Sequence, residues 1–350
     1  MDFNFSATGI GSVPFLDVKG TCRQVLATCR EIPFWPQFVH RSPLEDLTIQ
    51  FSEGLPFLEL HEDQRTLVLS SPDIESELVA FYDLFLSENT SRFAISKAYA
   101  PGLHEMIANL REKLDSHVKY VKGQTVGPVT FAAGIVDQEG KSLLHNPDLV
   151  EALTKALAIR ALWQVKELST WGKRPMIFLD EPYLSGYGSA FMPVQRHEVI
   201  GLIKEVIDYV RERTDALIGI HCCGNTDWAM IMETGPDIVS FDAFSYMDYF
   251  LLYPEEIFQF FERGGSIAWG IVPTFAFSGK ESVESLFSLL QKGLERLFEW
   301  GLSPGLVAGQ SLLTPACGMG TMKEAEATKA LVLLSQLSEK CAEVGLSRKA

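Results

Sequence analysis

The chain comprises 350 residues, 47% of them hydrophobic and 21% charged, with a formal net charge of -15 at neutral pH. That length and apolar content allow one large α/β unit or two average domains. The acidic balance excludes a general binder of the nucleic-acid backbone, which needs a basic face, and no apolar run reaches the roughly 20 residues that span a bilayer.

Taken in chain order, the pattern predicts a strand over Ala7–Val13, an amphipathic helix over Leu16–Glu31 and a second strand over Phe34–Phe38. The run LPFLELHEDQRTLVLS, Leu55–Ser70, alternates as a hairpin should, and Arg92–Lys97 reads as a surplus strand or part of a loop. Further strands are expected over Tyr120–Val126, Met176–Asp180, Leu217–His221, Asp237–Phe241, Ser266–Ile271 and Leu306–Ser311. Helical patterns lie over Pro147–Trp171, Val194–Arg213, Pro254–Arg263, Ser282–Trp300 and Met322–Val344. Pro147, Pro193 and Pro254 stand at or just before helix starts, where a fixed φ is tolerated. Gly264, Gly265 and Gly301 follow helix ends as carboxyl-terminal caps. Strands alternating with helices point to parallel β-α units. Eight of them predict a (β/α)8 TIM barrel with a small inserted hairpin, one domain over residues 1–350, with a doubly wound sheet as the alternative.

Three of these apolar runs lead to residues that bind metals. GIHCCGN carries His221 and Cys223, LLTPACGMG carries Cys317, and DIVSFDAF offers the carboxylate of Asp242. Residues i and i+2 of an extended segment point to one side, so His221 and Cys223 can share an ion, while Cys222 faces away. Structural zinc sites are built from two close pairs such as C-x-x-C. Ligands spread over separate strand ends instead suggest a catalytic zinc centre, because barrel enzymes carry their chemistry at the carboxyl ends of strands. Ser12, Asp180 and Glu181 fall at such ends too. The ordinary reading of a lone cysteine is a buried packing residue, and the aromatic run Phe244–Tyr253 reads as core before it reads as a wall for a planar cofactor. Cysteines without a paired framework, together with an amino terminus lacking a secretory pattern, predict a cytoplasmic protein with no membrane partner.

The segments TGIGSVP (Thr8–Pro14), KGQTVGPVT (Lys122–Thr130), FLDEP (Phe178–Pro182), HCC (His221–Cys223), DIVSFD (Asp237–Asp242) and TPACG (Thr314–Gly318) together resemble the catalytic domain of cobalamin-independent methionine synthase. That family belongs to a superfamily shared with uroporphyrinogen decarboxylase. The resemblance implies a zinc-dependent methyltransferase with His221, Cys223 and Cys317 as ligands. The family's glutamate ligand falls here on Asp242, which is shorter by a methylene. It also implies that homocysteine is held by Ile10, Gly11, Ser12 and Asp180. The additional amino-terminal barrel of the folate-dependent enzymes has no counterpart in this sequence. IPFWPQF and SEGLP look like a stand-alone branch whose members take the methyl group from methylcobalamin or a corrinoid protein. Three alternatives remain open, the first two being transfer to another thiol such as coenzyme M, and a lyase of the uroporphyrinogen decarboxylase type, which would call on Arg23, Arg30 or Arg41 to hold a polycarboxylate. A non-catalytic zinc-binding or corrinoid-docking protein would need the metal ligands without Ser12 and Asp180.

Overall fold

Seven parallel strands form one curled sheet in the computed structural model, which describes residues 2–112, 116–189, 192 and 194–344. They are β1 (Ser6–Ala7), β2 (Tyr120–Val126), β3 (Arg174–Asp180), β4 (Leu217–Cys222), β5 (Ile238–Phe241), β6 (Ser266–Val272) and β7 (Ser311–Pro315). Their spatial order is β1-β7-β6-β5-β4-β3-β2, so β2 to β7 pair as sequence neighbours, the last strand pairs with the first, and β1 and β2 are the two edges of the sheet. Connections between parallel neighbours need crossover helices, and the long ones are Pro147–Ser169, Arg196–Arg211 and Val283–Glu299, with a further long helix, Glu324–Val344, after the last strand. Ser282 caps the third of these in a reciprocal box with Ser285, and Asn146 caps the first through the Leu149 amide. Pro193 lies outside the described residues. No helix among the described residues is long and apolar enough to cross a membrane.

Period-two alternation separates the two faces of the sheet. Ile177, Leu179, Ile218, Ile220, Val239, Phe241, Ile267 and Trp269 belong to the large core that includes the outer helices. Met176, Phe178, Leu217, Ile238, Ala268 and Leu312 form a second apolar cluster on the inner face. Phe178 fills that interior only because Gly219 stands opposite, where a Cβ would lie 2.4 Å from the ring. Two residues further along, the inner positions turn polar: Asp180 follows Phe178, His221 follows Gly219, Ser240 follows Ile238 and Thr314 follows Leu312. The inner face is thus apolar at the amino end of the strands and polar at the carboxyl end.

The architecture is TIM-like, but the regular ladder has seven strands rather than eight. The segment expected as a second full strand, Phe34–Phe38, pairs only as Gln37–Phe38 with Ser12–Val13, plus one bridge from Phe34 to Lys122. Pro33 and Pro36 lack the amide donors that a continuous ladder requires. The first strand is broken as well, into Ser6–Ala7 and Ser12–Val13. A Cβ on Gly9 would meet the Phe34 ring at 2.2 Å, so glycine permits the close approach of these segments.

The inserted hairpin forms over Leu58–His61 and Thr66–Leu69, antiparallel, and gains a third parallel strand from Ile135–Val136. Arg92–Lys97 is not a strand; Thr90–Phe93 is a 3-10 turn capped by Asn89. The last strand also lies later than the run Leu306–Ser311 suggests. Ser303 caps the Leu306 amide and Pro304 occupies the first helical turn, so Pro304–Gly309 is a helix and β7 begins at Ser311.

Candidate metal centre

β4 delivers two of the candidate ligands. Leu217, Gly219, His221 and Cys223 alternate onto the inner side, whereas Cys222 is fully buried on the other, its thiol directed to the Gly224 carbonyl at 3.6 Å. His221 is held by its neighbour in the sheet: Ser240 is its register partner on β5, and the hydroxyl lies 3.0 Å from the ring Nδ1. With Nδ1–H donating to that oxygen, Nε2 presents its lone pair to the interior. Nε2 is buried and has no hydrogen-bond partner.

Cys317 arrives two residues beyond β7, on a loop latched to the first strand. The Met319 amide donates to the Ser12 carbonyl at 2.9 Å, and the Gly320 amide to the Ser12 hydroxyl at 3.4 Å. Gly318 must be glycine for this contact, since a Cβ there would lie 2.1 Å from Ser12 Oγ. Ser12 therefore ties the loop carrying Cys317 to the cavity.

The ligand atoms of His221, Cys223 and Cys317 all lie within 4.8 Å of one another. One imidazole nitrogen and two sulfurs are the donors zinc prefers, and three protein ligands leave a fourth position for a substrate. The orphaned Nε2 and the paired sulfurs fit such an ion. The sulfurs already share charge unequally. Cys223 is pulled down to about 4 by its contact with Cys317 and by the neighbouring His221, against its burial. Cys317 is pushed up by its contact with Cys223 and by burial.

A cavity of about 480 Å³ opens over the three residues and is also lined by Ile10, Ser12 and Asp180. Asp180 is 5% exposed, and its Oδ1 has no partner. Burial raises its carboxyl to about 6, while the neighbouring His221 and Lys122 oppose that rise. The adjacent Glu181 has a different task. Its carboxylate accepts from the Val129 and Thr130 amides at 2.9 and 2.8 Å and from the Thr130 hydroxyl at 2.6 Å, closing the start of the helix Pro128–Ala133. Gly11 lies beneath the cavity, where a Cβ would meet the Gln37 carboxamide oxygen at 2.3 Å.

Asp242 is not brought into the trio. It caps the helix Ala243–Phe250, its Oδ1 accepting from the Ser245 amide at 2.8 Å. The sequence carries that signal, because Asp followed three residues on by Ser just after a strand is a helix start. The aromatic run after it is core only in part: Phe250 stacks on Phe241 at 4.0 Å with Trp228 and Trp269 edge-on to it, whereas Tyr249 and Leu252 are exposed. None of Arg23, Arg30 and Arg41 lines the cavity, and Arg41 is paired with Glu45 at 2.8 Å.

Sequence reasoning missed several residues at the site. Ser240 could be suspected as the polar residue inside the apolar run Ile238–Phe241, but its pairing with His221 depends on strand register. Arg65, at the hairpin tip, and Phe275, in the loop after β6 and 96% exposed, line the cavity through long-range placement that no local pattern announces.

No protein-family model and no curated protein matches the chain. Among solved structures, it is similar to a B12-independent methionine synthase from Shewanella sp. W3-18-1 in complex with selenomethionine, at 14% identity and a TM-score of 0.60, over 97% of this chain and 98% of that one. It is also similar to a putative vitamin-B12 independent methionine synthase from Listeria monocytogenes, at 15% identity and a TM-score of 0.56, over 92% and 85% of the two chains. The likeness is one of fold across nearly the whole length. Both relatives are named B12-independent, so the likeness lends no support to the corrinoid donor or corrinoid-protein partner expected from the sequence.

Proposed function

We propose that residues 1–350 act as one zinc-dependent methyltransferase that moves a methyl group onto a small thiol, homocysteine first among the candidates. The observation that carries the reading is the meeting, in one cavity, of the His221, Cys223 and Cys317 ligand atoms with the unpartnered carboxylate of Asp180. Zinc held by the three residues would favour the thiolate form of an entering thiol, whose ordinary pKa near 8.5 leaves it mostly protonated at neutral pH.

The protein's own groups then account for the acceptor. Asp180 is placed to receive a substrate ammonium, and in a buried pocket such a charge-assisted contact is worth about 1.5–3 kcal/mol. The Ile10–Ser12 segment supplies backbone and hydroxyl groups to the same wall. The sulfurs of Cys223 and Cys317 would add electron density to such an ion and so would favour a nucleophilic substrate thiolate over a neutral thioether. A sulfonate acceptor such as coenzyme M would bring an anion towards Asp180, which favours an amino-acid thiol. A lyase acting on a polycarboxylate would leave the His221–Cys223–Cys317 cluster without a task.

The test is methyl transfer by the zinc-loaded protein to homocysteine, with methyltetrahydrofolate and free methylcobalamin as parallel donors. Methionine formed from either donor supports the reading and identifies the donor. Zinc-loaded protein inactive with both donors and with other small thiols would sink it.

A further inference from the structure

Buried ionisable groups elsewhere in the chain have evident structural tasks. Arg160 donates to the Phe51 and Glu53 carbonyls, and Glu181 closes a helix start. Lys122 on β2 differs, because it lies on the inner face beneath the cavity. Barrel interiors are filled by branched apolar side chains, and an apolar residue of similar size would avoid the cost of desolvating an ammonium. Lys122 is nonetheless 0% exposed.

Its Nζ donates to the Ile10 carbonyl at 2.6 Å and to Gln124 Oε1 at 3.3 Å, and stands 4.5 Å from the centre of the Phe178 ring. Ile10 lies in the gap between Ser6–Ala7 and Ser12–Val13, flanked by the Thr8 amide, which donates to the Leu313 carbonyl at 3.0 Å, and by the Gly11 carbonyl, which accepts from the Gln37 amide at 3.0 Å. Between these two bonds the ammonium holds the Ile10 carbonyl. Its second partner is itself anchored: Gln124 Nε2 donates to the Trp35 carbonyl at 3.0 Å, and the Gln124 carbonyl accepts from Gln164 Nε2 at 3.1 Å. A charged donor is stronger than a neutral one, and a hydrogen bond to a charged group withstands displacement by water better.

We propose that Lys122 is the positioning residue of the thiol-acceptor subsite, fixing the Ile10 carbonyl and so holding Ile10–Ser12 against the cavity. The proposal rests on the methyltransferase reading for the identity of the acceptor, though not for the anchoring itself. Ser12 also latches the loop of Cys317, so a loosened Ile10 would be felt first at the acceptor wall and only secondarily at the metal ligands.

The experiment compares the wild-type protein with Lys122→Met, both loaded with zinc, for homocysteine binding by calorimetry and for amide exchange in residues 8–13. The expected result is about ten- to hundredfold weaker homocysteine binding, faster exchange confined to that segment, and unchanged zinc content. Wild-type affinity together with wild-type exchange in Lys122→Met would overturn the proposal. Wild-type protein that binds zinc but no homocysteine would defeat the functional reading instead, and the exchange comparison alone then decides the anchoring. Should Lys122→Met fail to fold, Lys122→Gln replaces it; its side chain is one bond shorter and carries no charge, and it is expected to show the same changes. Failure of both to fold would assign Lys122 to the barrel rather than to the subsite and end the proposal.

Discussion

His221 and Ser240 face each other across neighbouring strands, with the imidazole Nδ1 3.0 Å from the serine hydroxyl. That contact decides which ring nitrogen is free, and the free one, Nε2, is the buried atom without a partner. Partners of this kind orient metal-binding histidines, and their loss typically costs 10- to 100-fold in metal affinity. Ser240→Ala is accordingly predicted to weaken zinc binding by about that factor, and to destabilise the metal-free protein by no more than about 1–3 kcal/mol, the cost of an unpaired buried group. Competition with a chelator measures it, and an unchanged affinity would mean that packing alone holds the ring.

Cys317 is brought to the other ligands by a loop rather than a strand. Cys317→Ser is predicted to lower zinc occupancy and abolish methyl transfer. Full zinc content with full activity would remove the late cysteine from the site.

Asp180 has an unpartnered oxygen in the cavity and is absent from the ligand trio. Asp180→Ala is therefore predicted to weaken acceptor binding by roughly ten- to hundredfold and zinc binding far less. Calorimetric titrations with each ligand separate the two effects, and equal losses would contradict the assigned role.

Gly318 and Ser12 make the latch testable by stability alone. A Cβ at Gly318 would lie 2.1 Å from Ser12 Oγ but 3.4 Å from Ser12 Cβ. Gly318→Ala is predicted to destabilise the protein by about 1–3 kcal/mol through overpacking. Because the clash is with the hydroxyl, most of that loss should vanish in a Ser12→Ala background. Urea unfolding of the four proteins in the cycle gives the coupling, and additive losses would show that the two residues do not meet.

Much of the site was legible because strand chemistry is local. An apolar run ending in H-x-C declares both the strand and the side its ligands face, and the polar ends of the strands carrying Asp180 and His221 follow from period two. What failed were features set by competing local signals or by distant pairing. Leu306–Ser311 has strand-like apolar residues, yet Ser303 and Pro304 make its first part a helix. Asp242 stands apart from these: it keeps a ligand's chemistry while its Oδ1 accepts from the Ser245 amide. Nothing in the motif KGQTVGPVT announces that Lys122 is buried, and its contact with the Ile10 carbonyl depends on distant pairing.

The same lysine gives a pH signature. Burial lowers its ammonium from 10.5 to about 8, against the opposing charge of Asp180. The native chain therefore releases this proton at lower pH than the unfolded chain. Between about pH 8 and 10.5 the unfolded state binds more protons, so this group makes stability rise with pH. The stability of the wild type relative to Lys122→Met should increase across that window, measured by urea unfolding at several pH values. A difference that stays constant would show that the lysine is not desolvated in the native state.

The most direct measurement is X-ray absorption at the zinc edge of the purified protein, before and after addition of homocysteine. The predicted spectrum has about one zinc per chain with two sulfurs at about 2.3 Å and one imidazole nitrogen at about 2.0 Å, and homocysteine adds a further sulfur. Protein that binds no zinc, or zinc whose sulfur count is indifferent to the thiol, would contradict a centre built by His221, Cys223 and Cys317 to activate an acceptor thiol.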